Sequence, residues 1–246
     1  MQTAILIVGH GTRETEGTCG FLELVSSVQR QVHSFVQPAF LEIAPPSISE
    51  GAEYCLSTGA KHLLIIPLFL FDGQDVKKKL PQGLEEVRAA HPQVLITISP
   101  PIGQDRQILE ILKEHLQSVN GSCPLDETSA LLVARGFSDQ DAIAETEKVS
   151  IRFAQEAGLR IVRHAFVEIA SPSIPDGIES CLASQTKQIV VLPYLLFPGL
   201  MLKKIKNQVE AIRSRKPAET IILVSDCLGS HPKLTELLIE RIRKEL

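Results

Sequence analysis

Three short segments of the sequence carry residue types that can do chemistry near neutral pH. The first is Gly9-His10-Gly11-Thr12-Arg13, in which an imidazole stands between two glycines just after an apolar run. The glycines let the backbone bend and leave the ring accessible. A neutral imidazole can ligate borderline metals, and it exchanges a proton near its reference pKa of about 6.5. The second is Glu42, set in the otherwise apolar Phe40-Leu41-Glu42-Ile43-Ala44. A carboxylate in such a setting requires a partner or a task. The third is Asp72-Gly73-Gln74-Asp75-Val76-Lys77-Lys78-Lys79, which places two carboxylates beside a run of cations.

The elements that must position these segments alternate along the chain. Ile5 to Val8 is a short β-branched run, as expected of a strand covered on both faces. Phe21, Leu24, Val25, Val28 and Val32 follow at helical spacing. Glu42 falls at the end of a second strand or just inside it. Leu63 to Phe71 reads as a further buried strand whose Pro67 marks a bulge or an end. Val94 to Ile98 gives another strand, and Ile108, Ile111, Leu112 and Leu116 line a closing helix. Strands alternating with helices predict a mostly parallel sheet with helices on both faces. Ligands of such sheets bind beyond the carboxyl ends of the strands, where all three segments fall. Ser47-Ile48-Ser49-Glu50 has capping-box spacing, and Ser173 with Asp176 is a looser version; free N–H groups at such a helix start can hold a carboxylate.

The whole pattern occurs twice. Ala39 to Ile48 returns as Ala165 to Ile174, and the same offset of 126 aligns Gly51 with Gly177, Cys55 with Cys181, Pro67 with Pro193, Lys77 with Lys203 and Gly103 with Gly229. The copies agree at Glu42 and Glu168 but differ at the strand ends. Arg135 stands where His10 stood, and Met201 where Asp75 stood. A guanidinium neither ligates a metal nor exchanges protons near neutral pH, so chemistry is expected in the first copy alone.

Composition narrows the function classes. Aromatic residues make up 4% with no Trp, which argues against a stacking platform for single-stranded nucleic acid. A net charge of -4 offers no global field for nucleic acid or acidic lipid. No apolar run approaches the length of a membrane span, and no secretion signal is read at the N-terminus. The five cysteines form no C-x-x-C pair, so free thiols in a reducing cytoplasm are expected rather than a cysteine-only metal site. There is no Gly-x-Ser-x-Gly elbow, Walker loop or His-Glu-x-x-His to support a hydrolase.

The order Gly9-His10-Gly11-Thr12-Arg13, Phe40-Leu41-Glu42 with Pro46-Ser47-Ile48, and Pro67-Leu68-Phe69-Leu70 leading to Val76-Lys77 resembles the sirohydrochlorin chelatase family, the class II chelatases. The duplication, Arg135 and the segment Gly229-Ser230-His231-Pro232 are similar to the long, two-domain members. The resemblance implies two similar α/β lobes facing each other across a cleft. It implies insertion of Fe²⁺ or Co²⁺ into sirohydrochlorin, for sirohaem or cobalamin synthesis. His10 and Glu42 match the family's active-site positions. One departure stands out: the family's second histidine, in a form like His-x-Lys-x-Asp-Ile-Pro, is Asp75 here, and the family's aspartate is Lys79.

The resulting expectations are specific. Residues 1–119 form an N-terminal lobe with the site, 120–128 a linker, and 129–246 a C-terminal lobe with a degenerate site. Metal insertion strips water from the ion and removes two pyrrole protons. His10 and Glu42 are the expected proton acceptors, and His10, Glu42 and Asp75 the metal donors. Arg13, Thr12, Ser47, Lys77, Arg135 and Lys203 are expected to meet the carboxylates of the substrate, at roughly 0.3–1 kcal/mol per exposed helix-dipole contact. No tightly bound cofactor, nucleic acid or membrane is expected, the metal being a substrate. A cytoplasmic monomer is expected, because the duplication supplies both lobes within one chain. The rival reading is a non-catalytic tetrapyrrole or metal carrier descended from a chelatase.

Overall fold

The structure, a computed structural model, describes residues 2–214 and 220–246. It resolves into two compact units, each built on four parallel strands. In the first unit, β1 (Thr3–Gly9) lies between β2 (Phe35–Phe40) and β3 (His62–Pro67), with β4 (Leu95–Ile98) outside β3. Ala4 to Val8 are wholly buried, as an all-apolar strand covered on both faces must be. Val8 is in register with both Ala39 and Pro67, so the three carboxyl ends finish side by side. Pro67 closes β3, where its missing N–H costs no ladder bond.

Helices cover both faces of this sheet. α1 (Thr15–Gln29) buries Phe21, Leu24, Val25 and Val28, whereas Val32 lies beyond its end. α2 (Ile48–Ser57) packs on β1 and β2 and begins at a full capping box: the Ser47 hydroxyl accepts from the Glu50 N–H, and the Glu50 carboxylate accepts from the Ser47 N–H. A π-helical turn over Asp75–Lys79 leads into two short helices, α3 (Leu80–Gly83) and α4 (Glu85–Ala90).

The second unit repeats the plan. β5 (Thr128–Ala134) is flanked by β6 (Ile161–Phe166) and β7 (Gln188–Pro193), and β8 (Ile221–Val224) lies at the edge. α6 (Gln140–Ala157) and α7 (Ile174–Leu182) follow β5 and β6, and α8 (Leu200–Arg213) follows β7. Ser173 and Asp176 complete a capping box of their own at the start of α7.

The packing units and the sequence repeats differ by one helix each. The helix expected to close the N-terminal lobe, α5 (Arg106–Asn120), packs on β7, β8 and α6, so it belongs to the second unit. The last helix, α9 (Pro232–Glu245), packs on α1 in the first unit. The physical reason lies partly at Asn120. This buried side chain donates to the Cys123 carbonyl at 2.7 Å and accepts from Gln188 Nε2 at 2.7 Å and from Thr128 Oγ1 at 3.1 Å. A buried amide needs those partners, and they fix the start of the expected linker into the second unit. At α9, Arg241 donates to the carbonyls of Pro100 and Pro101.

Candidate functional site

Two loops of the first unit are joined at the carboxyl edge of its sheet. The parallel pairing of β1 and β2 runs on past both strands: the Leu41 N–H donates to the Gly9 carbonyl at 2.8 Å, and the Glu42 N–H to the His10 carbonyl at 3.0 Å. Glu42 is therefore two residues beyond its strand and held beside His10. Gly11 makes this approach possible. Its φ is +93°, and a Cβ there would lie 1.9 Å from the Glu42 carbonyl oxygen. The chain then turns sharply, with the Ala44 N–H donating to the Glu42 carbonyl at 2.8 Å across Ile43, whose φ is +73°. That conformation is disfavoured for a β-branched residue, yet Ile43 is exposed.

The third loop supplies the opposing groups. In the π-helical turn, Asp75 and Lys79 come together at 2.9 Å between Oδ1 and Nζ, and the same ammonium donates to Glu42 Oε1 at 2.6 Å. The other Asp75 oxygen, Oδ2, lies 3.4 Å from His10 Nε2. His10 Nδ1 is 3.3 Å from the Gly11 carbonyl, a contact that is a hydrogen bond in the tautomer with its proton on Nδ1. The lone pair of Nε2 then faces a carboxylate oxygen. Two acceptors opposed in this way mark a position for a proton or a metal ion. His10 and Asp75 are half-buried, while Glu42 and Lys79 are exposed, so the charges of the cluster stay in contact with water. The bond to Glu42, and then that to Asp75, holds the Lys79 ammonium above the usual lysine pKa.

Of the expected donors, Glu42 and Asp75 are brought together around the ammonium of Lys79, and His10 lies against the other oxygen of Asp75. Among the described residues no group of three or more His, Cys, Asp or Glu side chains is arranged to hold a metal ion. Lys79 is the residue that sequence reasoning left outside the site; its spacing of four from Asp75 was the available signal. Of the expected substrate contacts, Thr12 and Ser47 have local tasks: Thr12 Oγ1 accepts from the Glu14 N–H at 3.1 Å, and Ser47 caps α2. Arg13 is exposed. Lys77 is also exposed and lies 3.7 Å from Asp72.

Arg135 and Lys203 belong to the second unit and are exposed there. The loop scaffold around Arg135 is the same as around His10. The Glu168 N–H donates to the Arg135 carbonyl at 3.0 Å, Gly136 has φ +108°, and Ile169 repeats the turn at φ +66°. Glu168 is paired with Lys204. Met201 stands inside α8, a regular helix, where the first unit has its π-helical turn. The cysteines are unpaired in the structure, with Cys55, Cys181 and Cys227 buried, Cys123 partly buried and Cys19 exposed. Among the described residues no helix is long and apolar enough to cross a membrane.

Comparison with known proteins gives concordant matches. The CbiX family matches residues 4–119 and again residues 129–245. A sirohydrochlorin cobaltochelatase of Priestia megaterium is 32% identical over 99% of this chain and 80% of its own length. A sirohydrochlorin ferrochelatase of the same organism is 30% identical over 98% of this chain and 89% of its own. The structure of SirB from Bacillus subtilis with Fe³⁺ superposes with a TM-score of 0.87 at 24% identity, over 99% of this chain and 95% of that one, and so shares the fold.

Proposed function

The chain belongs to the CbiX family, and from that premise we propose that it is a sirohydrochlorin chelatase, a lyase-type enzyme that inserts Fe²⁺ or Co²⁺ into that tetrapyrrole. The observation that carries the reading to particular residues is the facing of His10 Nε2 and Asp75 Oδ2 at 3.4 Å, beside Glu42. Insertion requires an ion held loosely and two pyrrole protons taken away. An imidazole with two carboxylates offers donors of intermediate and hard character for a borderline divalent ion. In the tautomer whose Nδ1 proton is directed to the Gly11 carbonyl, His10 presents Nε2 as the atom that takes the first proton. Glu42 takes the second, or shares the ion with Asp75. Arg13 and Lys77, with Arg135 and Lys203 on the second unit, meet the carboxylates of the substrate. The protein works as a cytoplasmic monomer, the duplication standing in for a second chain.

The test is spectroscopic. Purified protein is mixed with sirohydrochlorin and Fe²⁺ or Co²⁺ without oxygen, and the absorption change on metal insertion is followed. The expected result is a rate well above that of the protein-free mixture. A rate no faster than that mixture, together with tight tetrapyrrole binding, identifies a carrier instead.

A further inference from the structure

We propose that Lys79 is a tethered counter-cation of the metal position. Its ammonium offsets part of the negative charge of Glu42 and Asp75 when they hold no divalent ion. It moves aside when they bind one, and returns as the ion passes to the tetrapyrrole. The inference rests on the chelatase reading above and assigns a role to a residue that this reading does not use.

The geometry supports it first. Lys79 Nζ is 2.6 Å from Glu42 Oε1 and 2.9 Å from Asp75 Oδ1, so the ammonium already bridges one oxygen of each carboxylate. Divalent transition ions sit roughly 2.0–2.2 Å from carboxylate oxygens. An ion in the place of Nζ would thus require the two oxygens to close by only about 0.4–0.9 Å. An ammonium and a divalent cation cannot share that place. Lys79 has a ready way out, because its side chain is 43% exposed and its flexible four-carbon stem can carry the charge into water. It leaves and returns as an ammonium, so no proton transfer is involved.

The second unit separates this role from that of a plain structural pin. There Lys204 pairs with Glu168, and the position of Asp75 is taken by Met201 inside a regular helix. In the first unit the π-helical turn brings a second carboxylate to the same ammonium and places it against His10. The cation is therefore shared only where a metal would be handled. Its effect is to weaken the hold on every divalent ion alike and to favour release, leaving the order of preference to the His10 nitrogen and the carboxylate oxygens.

Co²⁺ alone is the probe, with binding followed by titration calorimetry on the full chain. Lys79→Met is expected to bind Co²⁺ at least tenfold more tightly than the unsubstituted protein, about 1.4 kcal/mol. Lys79→Arg, which keeps a cation, is expected to stay close to it. In turnover, Lys79→Met should lower both KM for Co²⁺ and kcat, because the ion leaves slowly. A structural pin predicts the reverse, since loosened carboxylates bind more weakly. Equal or weaker Co²⁺ binding by a Lys79→Met protein of unchanged circular dichroism overturns the proposal. Should the methionine variant melt early, Lys79→Gln, which keeps a donor without the charge, takes its place: tighter Co²⁺ binding supports the proposal and equal or weaker binding overturns it. His10→Ala in the Lys79→Met background separates the two levels. If Co²⁺ binding survives it undiminished, the ion is not at this site and the chelatase assignment of the site falls too. If binding vanishes with His10 but Lys79→Met gives no tightening, the tethered cation alone is wrong.

Discussion

Replacing Gly11 by alanine tests whether the contact between the first two loops sets the chemistry. The new Cβ would lie 1.9 Å from the Glu42 carbonyl oxygen, whereas real Cβ atoms essentially never come within 3.0 Å, so the two loops must part by at least 1.1 Å. Alanine at φ +93° also costs about 1–2 kcal/mol of backbone strain. The bonds from Leu41 to Gly9 and from Glu42 to His10 are stretched or lost, at about 1 kcal/mol each. The total is about 3–4 kcal/mol, which for a chain of this size lowers Tm by roughly 6–16 °C. A displacement near 1 Å between His10 and Glu42 is expected to cost about 100-fold in kcat. The second unit supplies the control, because a Cβ at Gly136 would lie 1.7 Å from the Glu168 carbonyl oxygen in the same backbone setting. Gly136→Ala is expected to melt as early as Gly11→Ala, yet to keep kcat within about threefold, any effect through Arg135 appearing in KM for the tetrapyrrole. Thermal melts by circular dichroism and metal insertion rates measured well below both transitions decide the matter. Equal kcat in the two variants would falsify the idea that the pinned Glu42 loop belongs to the reacting geometry.

Further outcomes follow from the same structure. His10→Ala is expected to abolish metal insertion, while Asp75→His, which restores the family's imidazole, preserves or raises it; a loss on Asp75→His would show that the carboxylate facing Nε2 has a task of its own. Burial pushes the thiols of Cys55 and Cys227 up to about 12 and that of Cys181 to about 11, so an aromatic disulfide reagent at pH 8 should label exposed Cys19 first and those three only on unfolding. Burial also lowers the pKa of His164 below 6.5, against the weaker opposing pull of Glu147. An unfolded chain then takes up this proton before the folded one does. Stability is expected to be highest above about pH 6.5 and to decline as the pH falls toward the lowered value. Melts between pH 8 and 5 should show a shallower decline in His164→Gln, and an unchanged slope would mean that His164 has no part in it.

Much of the scaffold is readable in the sequence because it rests on local patterns. The apolar run at Ile5–Val8, the helical spacing at Phe21–Val28 and the serine–acid pairs at Ser47 and Ser173 each act within a few residues, and each forms the element its pattern implies. The destination of α5 is not local. Its apolar stripe fits either sheet, and the choice falls to partners such as Gln188, 68 residues from Asn120. The same limit applies at the site. His10, Glu42 and Asp75 are individually conspicuous by residue type, but the turn that joins Asp75 to Lys79 is π-helical rather than α-helical. The spacing of four marks Lys79 among the three lysines as the partner of Asp75, but nothing local marks that the same ammonium crosses to a carboxylate 37 residues earlier.

The duplication makes it possible to divide the site without any other sequence. Features present in both units cannot be specific to the chemistry if only the first unit performs it. That applies to Gly11 and Gly136, to the turns at Ile43 and Ile169, and to the lysine partners of Glu42 and Glu168, all of which maintain the loop at the end of the second strand of each sheet. What remains to the first unit is the imidazole in place of a guanidinium, the carboxylate in place of Met201, and the π-helical turn that presents that carboxylate to two partners. Glu42 therefore holds two positions at once. Its ion pair with lysine is part of the scaffold, but only in the first unit does the partnering ammonium also bind a carboxylate that faces an imidazole. A salt bridge common to both units is joined in the first by a change of residue at 75 and of helical pitch after it, and a metal ion bound by Glu42 and Asp75 would have to compete with a cation that the fold already placed there.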